Sequence, residues 1–143
     1  MCRLLEMKKR IESLKVIELT GKSIRQTDKD LVEWQRDQMF QGKKKTGGSI
    51  KPFYRPLTKK IKKAKGQPID RVTLKDTGAF YDAMIVDVGA QVYNITSEDS
   101  KTSSLEGKYS TAIWGLGGVY RTGYLQQNLQ PALVKNIKNI LKV

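Results

Sequence analysis

Apolar residues recur at three- and four-residue steps at Leu4, Met7, Ile11 and Leu14, which predicts an amphipathic helix. Thr20-Gly21 is its expected end, since glycine is a common stop. Such a stripe packs in a core or docks on a neighbour. A second helix is expected to open at Thr27, whose hydroxyl would cap free amides, with Asp28 and Asp30 at its positive end. Leu31, Trp34 and Met39 give it apolar contacts, and Gln41-Gly42 ends it.

Farther along, the period changes. Residues 71–74 read as extended chain, and Asp76 or Thr77 is placed to cap a short turn that sends Phe80 and Tyr81 inward. Met84, Val86 and Val88 then alternate with Ile85 and Asp87, which is strand periodicity. Gly89-Ala90 reads as a two-residue turn with glycine first. The alternation resumes through Val92, Tyr93 and Ile95, so a β-hairpin is expected. Residues 97–104 are polar and turn-like. Leu105, Tyr109, Ala112 and Ile113 fit a short helix, closed by "WGLGG" at residues 114–118. A last helix holds Leu129, Leu133, Val134, Ile137, Ile140 and Leu141, with Pro131 as its first helical residue. The expected class is α+β: N-terminal helices and a C-terminal helix packed on a small antiparallel β-sheet, with a long basic loop. Residues 1–143 read as one domain, divided into a helical region (1–42), a basic arm (43–68) and the hairpin with the C-terminal helices (69–143).

Composition narrows the function classes. With 143 residues and 38% apolar content, the core is modest, which suits a chain that gains burial from partner subunits. No apolar run approaches the roughly 20 residues that span a bilayer, so no membrane partner is expected. Near the N-terminus the apolar pair Leu4-Leu5 precedes the charges of Lys8, Lys9 and Arg10, the reverse of a secretion signal. Cys2 is the single cysteine, and there is no histidine, the commonest general base and metal ligand. Asp70, Asp76, Asp82 and Asp87 are the candidate carboxylates, and their spacing does not gather them. Gly21-Lys22-Ser23 lacks the earlier glycine of a phosphate loop, because Val16 stands there. Gly115, Gly117 and Gly118 lack the third glycine of a dinucleotide fingerprint, where Tyr120 stands. No catalytic, cofactor or metal residues are expected, and the chain does not read as an enzyme.

Charge is unevenly placed. Of a net charge of +13, residues 43–65 contribute nine lysines and one arginine with no acid. Residues 66–106 hold three basic and seven acidic groups. The arm mixes anchors with this charge: Phe53 and Tyr54 lie between Pro52 and Pro56, and Leu57, Ile61 and Ala64 fall on one side of a short helix. Three readings stay open. The arm is a solvated lysine-rich loop. Or it is an assembly arm, anchored by Phe53 and Tyr54 with Lys43, Lys44, Lys45, Lys51 and Arg55 meeting a neighbour's carboxylates. Or it touches packaged DNA through Lys59, Lys60, Lys62, Lys63 and Lys65, without reading bases. As an assembly arm it is expected to hinge at Gly47-Gly48, mobile alone and ordered in an assembly. Thr77 and Gly78 are candidates for a turn that a side chain would spoil.

Three phrases carry a resemblance: "DQMFQGKKKTGGSIKPFY", "PIDRVTLKDTGAFYDAMIVDV" and "KYSTAIWGLGG". In this order they resemble small virion proteins of tailed bacteriophages, especially phages and prophages of Bacteroides-type bacteria. Thr77-Gly78-Ala79-Phe80 and Pro131-Ala132-Leu133 are also similar to elements of the tail-completion (virion morphogenesis) proteins of long-tailed phages. The "WGLGG" end differs from the tail-completion pattern, which has an acidic Glu-x-Gly element there, so neck and tail-completion placements both stay open. The resemblance implies a ring-forming subunit of the head-to-tail connector or the tail-completion complex. Its implied partners are copies of itself, other neck, portal or tail proteins, and double-stranded DNA; its implied location is the virion, assembled in the bacterial host cytoplasm. The alternative is a non-sequence-specific DNA-binding protein that acts without a ring.

Overall fold

The alternating stretch after Phe80 organises what lies around it. In the computed structural model, which describes residues 2–89 and 92–143, β1 (Met84–Val88) pairs antiparallel with β2 (Tyr93–Ser97). Met84 is buried and Val86 and Val88 are half-buried, while Ile85 and Asp87 are exposed, as a period of two requires. A two-residue loop at Gly89-Ala90 would set Val88 opposite Gln91. Instead Val88 lies opposite Tyr93, and the Gly89 N–H donates to the Val92 carbonyl at 2.7 Å. Ala90 and Gln91 lie outside the described residues. A shift of two residues keeps each side chain on its own face, so the buried set is the expected one.

Helices make up most of the remainder, giving an α+β fold. Before the hairpin come α1 (Cys2–Glu12), α2 (Val16–Gln26), α3 (Asp28–Phe40), α4 (Pro56–Ala64) and the short α5 (Ala79–Asp82). After it come α6 (Thr102–Tyr109), a 3-10 turn (Thr111–Ile113), α7 (Gly118–Tyr124) and α8 (Gln130–Leu141). α3 is the axis, burying Leu31, Val32, Gln35, Gln38 and Met39. On one side Val32 and Met39 join Ile50, Val72, Phe80 and Ile113. On the other, Leu31 meets Ile24, Ile95 and Tyr124. Val86 and Trp114 pack against both clusters, so the hairpin and the "WGLGG" segment both reach across this axis. Each fully buried side chain of this kind stabilises by about 1.5–3 kcal/mol.

Several boundaries differ from the sequence reading. The first helix closes near Ser13, whose N–H reaches Lys9 O at 3.0 Å, and α2 runs straight through Thr20-Gly21. A helical glycine costs up to about 1 kcal/mol, which the buried Leu19 and Ile24 of α2 offset. Thr27 does not cap α3 with its side chain. Its hydroxyl bonds back to Ser23 O at 2.8 Å and lies 2.8 Å from the Tyr124 hydroxyl. Residues 102–104, read as turn, already belong to α6, while Ala112 and Ile113 belong to the separate 3-10 turn. α7 has no counterpart in the sequence reading. It continues into α8 through a π turn at Leu125–Leu129, where Leu129 and Gln130 keep helical dihedrals. Pro131 lies in the first turn of α8 as expected, one residue after its start, with helical chain already running into it. A proline ring crowds the carbonyl four residues back, and the wider π turn just before it relieves that crowding.

Candidate functional site

The basic arm divides into two halves held in different ways. Residues 43–50 form a tight hairpin. Lys44 N–H donates to Gly48 O and Gly47 N–H to Lys44 O, both at 2.9 Å, while Ile50 N–H reaches Gly42 O at 2.8 Å. Gly47, at φ +86°, supplies the left-handed turn, so the glycine pair closes a hairpin instead of forming a hinge. Ile50 at its end is 1% exposed and lies in the core. The charged ends of Lys43, Lys44 and Lys45 are what this hairpin offers to solvent, with Lys44 half-buried.

Lys45 also joins a second element. Its N–H donates to Ala112 O at 3.0 Å. Its own carbonyl lies against Gly117, where an added Cβ would come within 2.0 Å of the oxygen. Two buried glutamines of α3 complete the seam. The Gln35 amide donates to Ile113 O at 3.0 Å and accepts from Gly115 N–H at 2.8 Å. One turn on, Gln38 donates to Gly115 O at 2.8 Å and accepts from Gly117 N–H at 2.9 Å. The side chains of α3 thus do for residues 113–117 what a neighbouring strand would do, satisfying buried backbone groups. The "DQ", "KKK" and "WGLGG" pieces of the sequence meet here.

The second half of the arm is clamped by side chains. The Tyr54 hydroxyl accepts from Thr73 N–H at 3.0 Å. Lys62 is 8% exposed; its ammonium sits 4.8 Å from the centre of the Tyr54 ring and donates to Lys75 O at 3.1 Å and Gln67 Oε1 at 3.3 Å. Lys65 pairs with Asp76 at 2.6 Å, and that hydrogen bond and charge hold the Asp76 carboxyl below its ordinary value. Tyr54 and Lys62 are therefore internal clamps, and Lys65 already has a carboxylate. Lys51, Arg55, Lys59, Lys60 and Lys63 are exposed, with the Lys51 ammonium 5.6 Å from the Phe53 ring centre. The apolar side of α4 is exposed as well: Leu57 is 69% and Ile61 49% exposed, and Phe53 just before the helix is 55% exposed.

Between this half and the body lies a cleft of about 650 Å3. Its apolar lining includes Phe53, Ile61, Leu74, Phe80 and Leu105, and its cations include Arg55, Lys75, Lys101 and Lys108. Leu74 holds φ +57°, a left-handed conformation that costs a non-glycine residue about 1–2 kcal/mol. The buried Tyr81 beneath it donates its hydroxyl to Thr73 O, and burial pushes that hydroxyl well above the usual tyrosine value. Thr77 and Gly78 line the cleft too. Thr77 Oγ1 accepts from Ala79 N–H at 3.3 Å. Gly78 has φ +94°, and an added Cβ would meet only Asp82 Oδ2 at 3.9 Å. Its need for glycine thus lies in backbone shape, not in crowding.

Gln35 and Gln38 were not among the expected site residues. A signal for them exists: with Leu31 they recur at i, i+4 and i+7, so two amides lie on an apolar stripe. Asp70, Asp76, Asp82 and Asp87 do not converge: Asp70 pairs with Arg71, Asp76 with Lys65, and Asp87 sits on the hairpin. Among the described residues no group of three or more acidic, cysteine or histidine side chains is placed to hold a metal. No helix among the described residues is long and apolar enough to cross a membrane. No family model, curated protein or solved structure matches this chain.

Proposed function

We propose that this chain is a structural virion protein of a tailed bacteriophage, a ring-forming subunit of the head-to-tail connector or the tail-completion complex. One observation carries the reading. The arm is fastened to its own body by Tyr54, Lys62 and Lys65, yet leaves Phe53, Leu57 and Ile61 exposed, with Phe53 and Ile61 along the cleft. A merely solvated loop has no need of three exposed large apolar side chains, whereas aromatic and aliphatic anchors within a charged rim suit a subunit interface. The resemblance of the three sequence phrases to phage virion proteins supplies the context, and other neck, portal or tail proteins would be further partners. Exposed Lys59, Lys60 and Lys63 on α4 favour an added contact with duplex DNA, through phosphates alone.

Mass photometry with and without duplex DNA tests the reading. The expected result is a discrete oligomer without DNA. Replacing Phe53 and Leu57 with serine is expected to abolish it while leaving the monomer's melting temperature within a degree or two, because both side chains are largely exposed. A chain that stays monomeric without DNA and gathers only on DNA would replace the ring reading with the free DNA-binding one.

A further inference from the structure

We infer that, within the assembly proposed above, the outward face of the β1–β2 hairpin of one copy seats in the basic cleft of the next. The inference rests on that assembly reading and names its contact. The hairpin and its flanks are an acidic part of the chain: from Asp82 to Asp99 there are four carboxylates and no basic residue, with Asp87 in β1 and Glu98 just after β2. Its ladder sets Ile85 opposite Thr96 and Asp87 opposite Asn94. Directly opposed residues share a face, so these side chains point away from the core-facing Met84 and Val86. Glu98 N–H bonds Ala83 O at 3.0 Å, which extends the same alternation and adds Glu98 to that face. Ile85 is 38% exposed. The outward face therefore combines an aliphatic side chain with two carboxylates.

The cleft is its complement. Six cationic side chains line it against one carboxylate, Asp76, and Asp76 is taken by Lys65. The Lys62 ammonium is taken by Lys75 O and Gln67. Arg55, Lys101 and Lys108 are left at the mouth of an apolar pocket. An aliphatic group flanked by carboxylates satisfies both features of this site. A phosphate backbone would answer the charge and leave the apolar floor uncovered. Helix α1 would answer the floor, since it exposes Leu4, Leu5 and Ile11. It carries four basic and two acidic residues, however, and the cleft would repel it. No residue of β1 or β2 lines the chain's own cleft, so hairpin and cleft are two different surfaces. A contact between two different surfaces repeats head to tail and closes into a ring when its rotation allows.

Reciprocal charge reversal tests this. One variant carries D87K and E98K on the hairpin; the other carries K101E and K108E at the cleft. All four side chains are exposed. Each variant alone is expected to self-associate at least about tenfold more weakly than the parent chain at low salt. An equimolar mixture is expected to assemble again, because each reversed hairpin then finds a reversed cleft and each native hairpin a native one. If a reversal unfolds its subunit, D87N and K101Q are read instead, each expected to weaken association and flatten its salt dependence. A parent chain that never self-associates overturns the assembly reading and this contact together. A parent that assembles while both reversed variants assemble equally well leaves the ring standing and overturns the hairpin–cleft contact. Loss in both variants without recovery in the mixture also overturns it.

Discussion

Residues 43–50 carry three lysines and α4 carries four, yet the two halves of the basic arm are held by different forces. The first half is fixed through its backbone: hydrogen bonds within the hairpin, a bond to Ala112, and a carbonyl packed on Gly117. Its lysine ammoniums form none of the ion pairs among the described residues, though the Lys45 stem packs beside Gly115. The second half is fixed through its side chains, with the Tyr54 hydroxyl on Thr73, the Lys62 ammonium on Lys75 O, and Lys65 on Asp76. Charge density is therefore a poor guide to what a basic segment does. Backbone pairing makes a seam that tolerates no added atom, whereas clamps by side chains leave a helix whose other faces remain available to a partner.

The sharpest way to break the first half is at Gly117. An alanine there would put Cβ 2.0 Å from the Lys45 carbonyl oxygen, and relief would cost the Gln38 bond to Gly117 N–H on one side or the Lys45 bond to Ala112 O on the other. The G117A variant is expected to lose about 3 kcal/mol or more, read as a large fall in the urea midpoint. G47A is the control in the same hairpin: its Cβ meets nothing within 4 Å and the penalty comes from φ +86° alone, about 1–2 kcal/mol. Equal losses in the two variants would mean that the seam between Lys45 and Gly117 is loose. Next comes Gln38→Leu, which strands Gly115 O and Gly117 N–H. Leaving two buried groups unpaired costs about 2–4 kcal/mol, and a melting temperature unchanged from the parent chain would show that water reaches the seam.

The hairpin and Gly78 were legible in the sequence because their causes are local. Alternation at Met84, Val86 and Val88 needs only one buried side, and Gly78 needs only its own left-handed backbone. The register and the helix boundaries were less legible. The Leu4, Met7, Ile11 stripe predicts a helix, yet α1 buries none of its residues, because a stripe says which side is apolar and not what covers it. Gln35 and Gln38 look like surface residues until the glycine-rich segment they serve is placed beside them. Tyr54 reads as an interface anchor, and only the fold shows that Thr73 and Lys62 already occupy it.

The two kinds of lysine in α4 give a smaller test. Lys62→Met keeps the apolar stem but removes the ammonium bonded to Lys75 O and Gln67; the expected loss is about 1.5–3 kcal/mol, the net worth of a hydrogen bond from a charged group. Lys63→Met, one residue on and exposed, is expected to change the melt by less than about 0.5 kcal/mol. Equal effects would mean that Lys62 is no clamp.

The smallest expected effect, and the one most specific to the second half, depends on pH. Lys65 holds the Asp76 carboxyl below its ordinary value, so the folded state favours the ionised form. The tether's contribution is therefore present above the unfolded-state value of about 3.9 and fades as pH falls through the lower folded value. Both side chains are about half exposed, so the contribution is small and salt-sensitive. The backbone-held hairpin at residues 43–50 has no such dependence built into its hydrogen bonds. Amide protection factors should therefore fall in α4 between pH 4 and pH 2 while those of Lys44, Gly47 and Ile50 hold. In the K65A variant the Asp76 carboxyl should titrate at a higher pH by NMR, and the acid-dependent step in α4 should disappear. If the two halves lose protection together in both chains, the arm opens as one unit and the division between backbone and side-chain fixation is wrong.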